Sequence, residues 1–297
     1  MQSKRVLIGF WLTLASVLLL GCASPKNNQM LAAEEASAII ANSEIDDRTK
    51  SSLLLESQIK AAERQLADGS AGRIIFAGFA MHSESKAFRS DVALAEEVIR
   101  AIDPNAIVFT LDNPAYGQSV TWPFATSQNM AVVMDRIGMM ARPEDKVVLL
   151  LSTHGNEDIL AINLYRRNHP SLDSKWLRFA LAGLRGKPTL MLISACYSGS
   201  FITPLAAPSR IILTAAAADR NSFGCQFKST NTYFVDALLN QPAITDQSLT
   251  ELMAQAKIEV AQRERTQKLS PPSMPQIFIG SHVQDWADQP LKDWLKP

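Results

Sequence analysis

The sequence predicts one α/β domain with a mostly parallel, six-stranded sheet flanked by helices. From residue 73 onward, short apolar runs alternate with segments whose apolar residues recur at helical spacing. The apolar runs predict strands over 73–79, 107–111, 146–152, 189–194, 210–215 and 276–279. The intervening segments predict helices over 89–102, 126–140, 171–184, 232–239 and 248–265. A chain of 297 residues that is 47% hydrophobic can bury one substantial core.

The amino terminus has the pattern of a bacterial lipoprotein signal peptide. Lys4 and Arg5 precede an apolar run over 6–20, which is short for a bilayer span. The run ends in Leu-Leu-Gly-Cys and resembles a lipobox, in which the thiol of Cys22 receives diacylglycerol. Ala23, in place of an aspartate, implies the outer membrane, with the protein facing the periplasm. An uncleaved anchor with an incidental cysteine is the alternative.

The rest of the chain divides by composition. After a signal peptide over 1–21, residues 22–30 are polar and predict a tether. Residues 31–70 predict one or two amphipathic helices that pack or act as a spacer, with partner binding as the alternative. The α/β domain is expected over 71–285 and a carboxyl-terminal tail over 286–297, where Trp286 and Trp294 are interpreted as packing or rim residues.

Charge and motifs exclude several function classes. The 29 basic residues equal the 29 acidic ones, which leaves no excess of positive charge for a nucleic-acid partner. The sequence has no internal repeat, no G-x-G-x-x-G and no Walker motif, so nucleotide binding loses its usual support.

Two predicted strands end in reactive side chains. The strand over 146–152 is followed by Thr153-His154-Gly155, and the strand over 189–194 by Ala195-Cys196. Consecutive strands of such a sheet are usually neighbours, and sites gather at their carboxyl ends. A thiolate would attack a carbonyl, the imidazole would transfer the proton, and the Gly155 and Cys196 N–H groups would bind the oxyanion. A buried structural cysteine and a strand-end histidine are the other interpretation.

The chain resembles the legumain family of asparaginyl endopeptidases, within the caspase-like clan of cysteine peptidases. The resemblance rests on an ordered set of features: the segment 88–91, His154-Gly155, Ala195-Cys196 with Ser198-Gly199, and the segments 214–225 and 231–236. It implies a caspase-like three-layer sandwich, with thiol hydrolysis that uses no metal or organic cofactor. The partners implied are a peptide or protein substrate, and the membrane through the lipid anchor.

The resemblance also implies a specificity pocket. Arg89 and Asp236 match the positions that hold the substrate side chain, and Ser222 lies in a matching segment. Tyr197 stands where relatives have an acidic residue, and Ala87 where relatives have an asparagine that orients the histidine. An asparagine carboxamide would receive a hydrogen bond from Arg89 and donate one to Asp236.

The remaining candidates indicate no second site. His82, His169 and His282 have no spaced carboxylate or cysteine, so no metal site is expected. Asp112-Asn113 predicts a turn whose loop would line the substrate groove. Cys225 is expected to be a core or pocket-wall thiol that stays unpaired from Cys196, although an oxidising compartment permits a disulfide.

The predicted function is therefore a cysteine endopeptidase that cleaves after asparagine, with aspartate as a second choice. Two alternatives stay open: a transpeptidase of the same mechanism, and a catalytically silent lipoprotein scaffold.

Overall fold

The computed structural model describes residues 25–66, 72–226 and 229–295, and its centre is a six-stranded sheet. The strands are β1 Ile74–Ala80, β2 Ile107–Asp112, β3 Lys146–Ser152, β4 Gly155–Asn156, β5 Ile159–Leu164, β6 Arg167–Leu172, β7 Thr189–Ser194, β8 Arg210–Thr214 and β9 Gln276–Ile279. The central order is β2-β1-β3-β7-β8-β9, and only β9 among these six runs antiparallel to its neighbour. All six strands predicted from the sequence are confirmed.

Helices cover both faces of this sheet. They are α1 Pro25–Ala41, α2 Asp47–Leu66, α3 Lys86–Ile102, α4 Ser127–Met140, α5 Ser174–Ala180, α6 Ile202–Leu205, α7 Tyr233–Leu239, α8 Leu249–Thr266 and α9 Gln284–Asp288. Alternate strand residues face two separate apolar cores, one shared with α2, α4 and α5, the other with α3, α7, α8 and α9. The predicted three-layer architecture is confirmed.

Side-chain caps fix where several helices begin. Ser85, Thr126, Asp173, Thr232 and Ser248 each accept a backbone N–H from the first turn of the following helix. Such caps satisfy amide groups that have no partner within the helix. The cap at Ser85 starts α3 three residues before the expected position 89.

The region 155–184 differs from the expectation. Strands β4, β5 and β6 form a small antiparallel sheet that the sequence analysis missed. The helix predicted over 171–184 is shorter, because β6 continues to Leu172 and α5 begins only after its Asp173 cap. A 3-10 turn over Ala182–Leu184 completes the segment. The exposed, polar sequence of β6 lacks the apolar alternation by which strands are recognised.

The two ends of the chain also differ from their predicted roles. Helix α1 begins at Pro25, inside the expected tether over 22–30, and proline suits the first helical position. The described part of the expected tail over 286–297, residues 286–295, packs into the second core instead, with Trp286 and Trp294 buried. Burying two large indole rings in this core is more favourable than leaving their apolar surface in water.

The lipidation prediction for Cys22 and the signal peptide over 1–21 lie outside the described residues. Among the helices of the described ranges, none combines the length and the apolar character needed to cross a bilayer.

Candidate active site

The predicted nucleophile and its partner histidine stand at adjacent strand ends. Strands β3 and β7 pair in parallel with Ser152 opposite Ser194, and the Thr153 N–H donates to the Ser194 carbonyl at 3.1 Å. His154 and Cys196 each follow two residues beyond this last pair. The predicted juxtaposition of the two strand ends is confirmed.

Gly155 lies against the backbone of Cys196. A Cβ at position 155 would stand 2.6 Å from the Cys196 carbonyl oxygen and 3.0 Å from the Ile159 carbonyl oxygen. Both contacts are with backbone atoms and not with the ends of flexible side chains, so a Cβ at position 155 would force the backbone to shift. The backbone of residue 155 is thereby held beside the thiol-bearing residue, where an oxyanion site requires it.

The Cys196 thiol faces the loop over 221–226. The Ser222 N–H lies 3.3 Å from Cys196 Sγ, and the Ser222 carbonyl oxygen lies 3.5 Å from the same sulfur. Tyr197 has a left-handed backbone with φ 56°, and its N–H donates to the Arg220 carbonyl at 2.7 Å. This bend directly after Cys196 leads the chain away from the sheet into the 3-10 turn Ser198–Phe201.

Two rings flank the His154 imidazole edge-to-face. The ring centroids of His82 and Phe88 lie 4.5 Å and 5.0 Å from that of His154. Burial lowers the pKa of His154, and the Glu84 carboxylate opposes that shift. In the described part of the chain, His154 makes no hydrogen bond to Cys196 Sγ, a separation common in substrate-free sites.

His82 was expected to have no partner for a metal site, but the fold brings two possible ligands beside it. His82, Glu84 and His154 present ligand atoms that all lie within 4.8 Å of one another. Burial, together with the charge of His154, lowers the pKa of His82 to about 4. The carboxylate is only two positions along the sequence, but the second imidazole follows the distant strand β3, and local periodicity does not reveal that the two are close.

Arg89 and Asp236 each have a different ion-pair partner in the structure. The Arg89 guanidinium pairs with Asp112, donates to Thr121 at 2.8 Å and lies 4.0 Å from the Trp122 ring centre. The Asp236 carboxylate pairs with Arg263 at 2.6 Å. Each predicted pocket residue is thus engaged in a separate ion pair, and the two-residue clamp for a carboxamide is not formed.

Asp112 and Asn113 line a groove of about 370 Å³ together with Arg89 and His82. Burial raises the pKa of Asp112 to about 6, against the lowering effect of the Arg89 charge. Asn113 donates to the carbonyls of Met81 and Ala125, at 2.9 Å and 3.2 Å. The predicted turn therefore borders a groove that reaches the His82 side of the site.

A buried carboxylate links three elements beneath the candidate site. Asp91 is fully buried and accepts from the Ser152 hydroxyl at 2.7 Å, the Thr232 N–H at 3.0 Å, the Thr232 hydroxyl at 2.8 Å and the Asn231 amide at 3.2 Å. It thereby joins α3, β3 and the start of α7. The sequence analysis missed this role, although an aspartate inside the apolar face of α3 was the available signal.

Cys225 is a half-buried free thiol that packs against the second core. Burial raises the pKa of its thiol, and the nearby Cys196 adds to that shift. Both cysteines are free in the structure, as the sequence analysis predicted.

Comparison with known proteins identifies the family of this chain. The model of the peptidase C13 family matches residues 125–295, which span more than half of the chain and include both strand ends. The chain belongs to the peptidase C13 family. A solved structure, caspase-1 from Spodoptera frugiperda, is similar at 16% identity, with a TM-score of 0.49, over 70% of this chain and 86% of that one. No curated protein matches significantly. This family member is a cysteine-type endopeptidase, as predicted.

Proposed function

We propose that this C13 peptidase hydrolyses peptide bonds on the carboxyl side of asparagine, through an acyl-enzyme on Cys196 with His154 transferring protons. The observation that carries the proposal is the pairing of β3 with β7, which sets both side chains at one end of the sheet. Sulfur attack on the carbonyl breaks the amide bond, and the imidazole delivers a proton to the departing amine. The N–H groups of Gly155 and Cys196 stabilise the oxyanion.

The resemblance to legumains supports the preference for asparagine. The ion pairs of Arg89 and Asp236 do not support the simple clamp, so the substrate would have to displace Asp112 from Arg89 before that guanidinium could bind a carboxamide. Tyr197 and Ser222 remain proposed pocket residues. Tyr197 follows Cys196 directly in the chain, and the Ser222 N–H lies 3.3 Å from Cys196 Sγ.

A variant pair tests the mechanism. Cys196→Ala should abolish cleavage and His154→Ala should lower kcat/KM by about 10³-fold or more, because the two side chains act as one unit. Fluorogenic peptides supply the rate, and circular dichroism supplies the control for folding. Full cleavage by Cys196→Ala would refute the mechanism. Covalent capture by a peptide electrophile separates the enzyme from a silent scaffold.

A peptide series that varies only the residue before the scissile bond tests specificity. Asparagine should be cleaved fastest, aspartate second, and lysine or arginine poorly. Arg89→Ala should reduce asparagine cleavage, whereas Arg100→Ala, at the other end of the same helix and outside this groove, should not. A preference for basic residues, or indifference to Arg89, would remove this specificity. Mass spectrometry of the products, with an amine added to the reaction, distinguishes hydrolysis from transpeptidation, because only transpeptidation joins the amine to the cleaved peptide.

We further propose that Cys22 carries a lipid and holds the enzyme at the periplasmic face of the outer membrane. The lipobox-like sequence before Cys22 supports this placement. Mass spectrometry of the amino-terminal peptide tests it, since a diacylglyceryl cysteine with residues 1–21 removed is expected. An intact signal segment would contradict the proposal.

A further inference from the structure

We propose that His82, Glu84 and His154 form a binding site for a divalent transition-metal ion, with Zn²⁺ as the best fit, and that the bound ion inhibits the peptidase. Two imidazoles and one carboxylate are a ligand set that Zn²⁺ accepts, with a fourth position left for water. The inhibition rests on the proposed role of His154, whereas metal binding does not.

The fold positions both imidazoles through one strand. The β5 residue Asn163 donates its N–H to the Met81 carbonyl at 3.0 Å and accepts from the Ser83 N–H at 3.1 Å, which fixes the backbone on both sides of His82. Ala161, also in β5, donates to the His154 carbonyl at 2.9 Å. The two rings therefore stand 4.5 Å apart, centre to centre, on a common support.

Glu84 supplies the adjustable ligand. Its side chain is exposed, whereas His82 is 8% exposed and His154 is half-buried. The ligand atoms lie within 4.8 Å of one another, and tetrahedral Zn²⁺ with bonds of about 2.0 Å holds its ligands about 3.3 Å apart. Rotation of the solvent-exposed glutamate, with a small shift of the rings, closes this gap. The exposed side also gives the ion a path of entry.

The cost of metal uptake within this cluster is small. The Glu84 N–H lies 3.4 Å from His82 Nδ1, a long hydrogen bond that is lost when the imidazole coordinates a metal. Phe88 packs on His154 from another side and is unaffected by the ion. Once the imidazole lone pair of His154 is bound to Zn²⁺, it cannot take a proton from Cys196 or return one to the leaving amine. Metal occupancy and catalysis are thus mutually exclusive.

Direct Zn²⁺ binding to the full chain is the decisive measurement. It is made on the Cys196→Ala protein, which removes the thiol as a competing ligand, with a chromophoric chelator as competitor. One Zn²⁺ per chain is expected. Adding His82→Ala or Glu84→Gln should weaken binding by about tenfold or more. The matched controls His169→Ala and His282→Ala, both at exposed positions, should bind as before.

Activity is measured separately in protein that retains Cys196. Zn²⁺ should inhibit peptide cleavage by about tenfold or more and a chelator should restore it, with Glu84→Gln requiring more Zn²⁺ for half inhibition. Stoichiometric binding in a chain without peptidase activity would refute the proposed function and leave the metal site standing. Absence of binding in the Cys196→Ala protein, or binding unchanged by both His82→Ala and Glu84→Gln, would overturn the metal site. Because Glu84 is exposed, its variant keeps the test valid if His82→Ala fails to fold.

Discussion

Position 155 requires glycine because the neighbouring backbone lies too close to accommodate a Cβ. We expect Gly155→Ala to lower kcat/KM by about 10²-fold, because its Cβ would push the Cys196 backbone out of place by a fraction of an ångström or more. Peptide cleavage measures the effect. The matched control is Gly186→Ala, at φ 79° with open space around it, which should lower stability without changing kcat/KM. Normal activity in Gly155→Ala would show that the site tolerates this displacement.

The two thiols of the described chain should differ in reactivity. Burial raises the pKa of Cys225, so less of it is thiolate at neutral pH. We expect an alkylating peptide electrophile to label Cys196 first, and Cys225→Ser to keep one rapidly reacting thiol and full activity. Peptide mapping identifies the labelled site. Quantitative Cys196–Cys225 disulfide in fully active protein would contradict both the order of labelling and the mechanism.

At the scale of elements, the Asp91 network makes stability depend on pH. Burial raises the pKa of Asp91 to about 6, above the unfolded value near 3.9, so the folded chain binds a proton more tightly. The free energy of unfolding from this group therefore rises as pH falls from 6 to 4 and is constant outside that window. Asp91→Asn should remove this gain, which amounts to up to about 3 kcal/mol.

Urea unfolding at several pH values between 4 and 7 measures this difference. The exposed Asp135→Asn serves as the control and should follow the wild-type pH profile. An unchanged pH profile for Asp91→Asn would mean that the Asp91 carboxyl titrates at its ordinary pKa despite its burial.

The elements that could be predicted from the sequence are those whose burial gives them a distinctly apolar composition. Strand β7, and strand β3 after its first residue, are fully buried and have nearly continuous apolar sequences. Their adjacency follows from the rule for consecutive strands. The hairpin of β5 and β6 is stabilised by its contacts with the loop after β1, including Asn163, and such long-range pairing leaves no local periodicity. The site divides in the same way: His154, Cys196 and Gly155 were predictable, whereas the ring of His82 was not.

Pairing between charged side chains is the second property that local patterns do not carry. Arg89 and Asp236 each match a family position in sequence, but Asp112 and Arg263 provide nearer partners in space. A charged side chain pairs with whichever opposite charge the fold brings within reach when both are partly removed from water. A match to the family at these two positions therefore does not by itself determine which side chain the pocket binds.

At the scale of the whole molecule, the central sheet has two edges, and an apolar core lies on each of its faces. The β2 edge is covered by α2, whose Gln58 side-chain amide donates to the Thr110 carbonyl at 3.1 Å and accepts from its N–H at 3.3 Å. This pair of bonds occupies backbone groups that another strand would otherwise bind. Helix α2 thus protects an edge of the peptidase sheet, which is a packing role of the kind that the sequence analysis expected for residues 31–70.

The carboxyl-terminal segment completes the second core on the opposite face. Trp294 is 2% exposed and stacks edge-to-face with Trp286 at 5.0 Å, beneath α3 and α8. We expect Trp294→Ala to lower the free energy of unfolding by about 3–5 kcal/mol through lost burial and a new cavity. That loss is a large part of the total stability of an ordinary domain, about 5–15 kcal/mol.

Chemical denaturation measures this loss, and the adjacent Leu295→Ala is the matched control. Leu295 is 37% exposed, so its truncation should cost less than about 1 kcal/mol. Trp294→Phe should retain most of the stability, because the buried indole N–H has no hydrogen-bond partner within the described residues and its loss removes only packing area. Equal effects of Trp294→Ala and Leu295→Ala would mean that residues 286–295 are a dispensable tail. A larger cost at Trp294 places them in the folding unit of the peptidase.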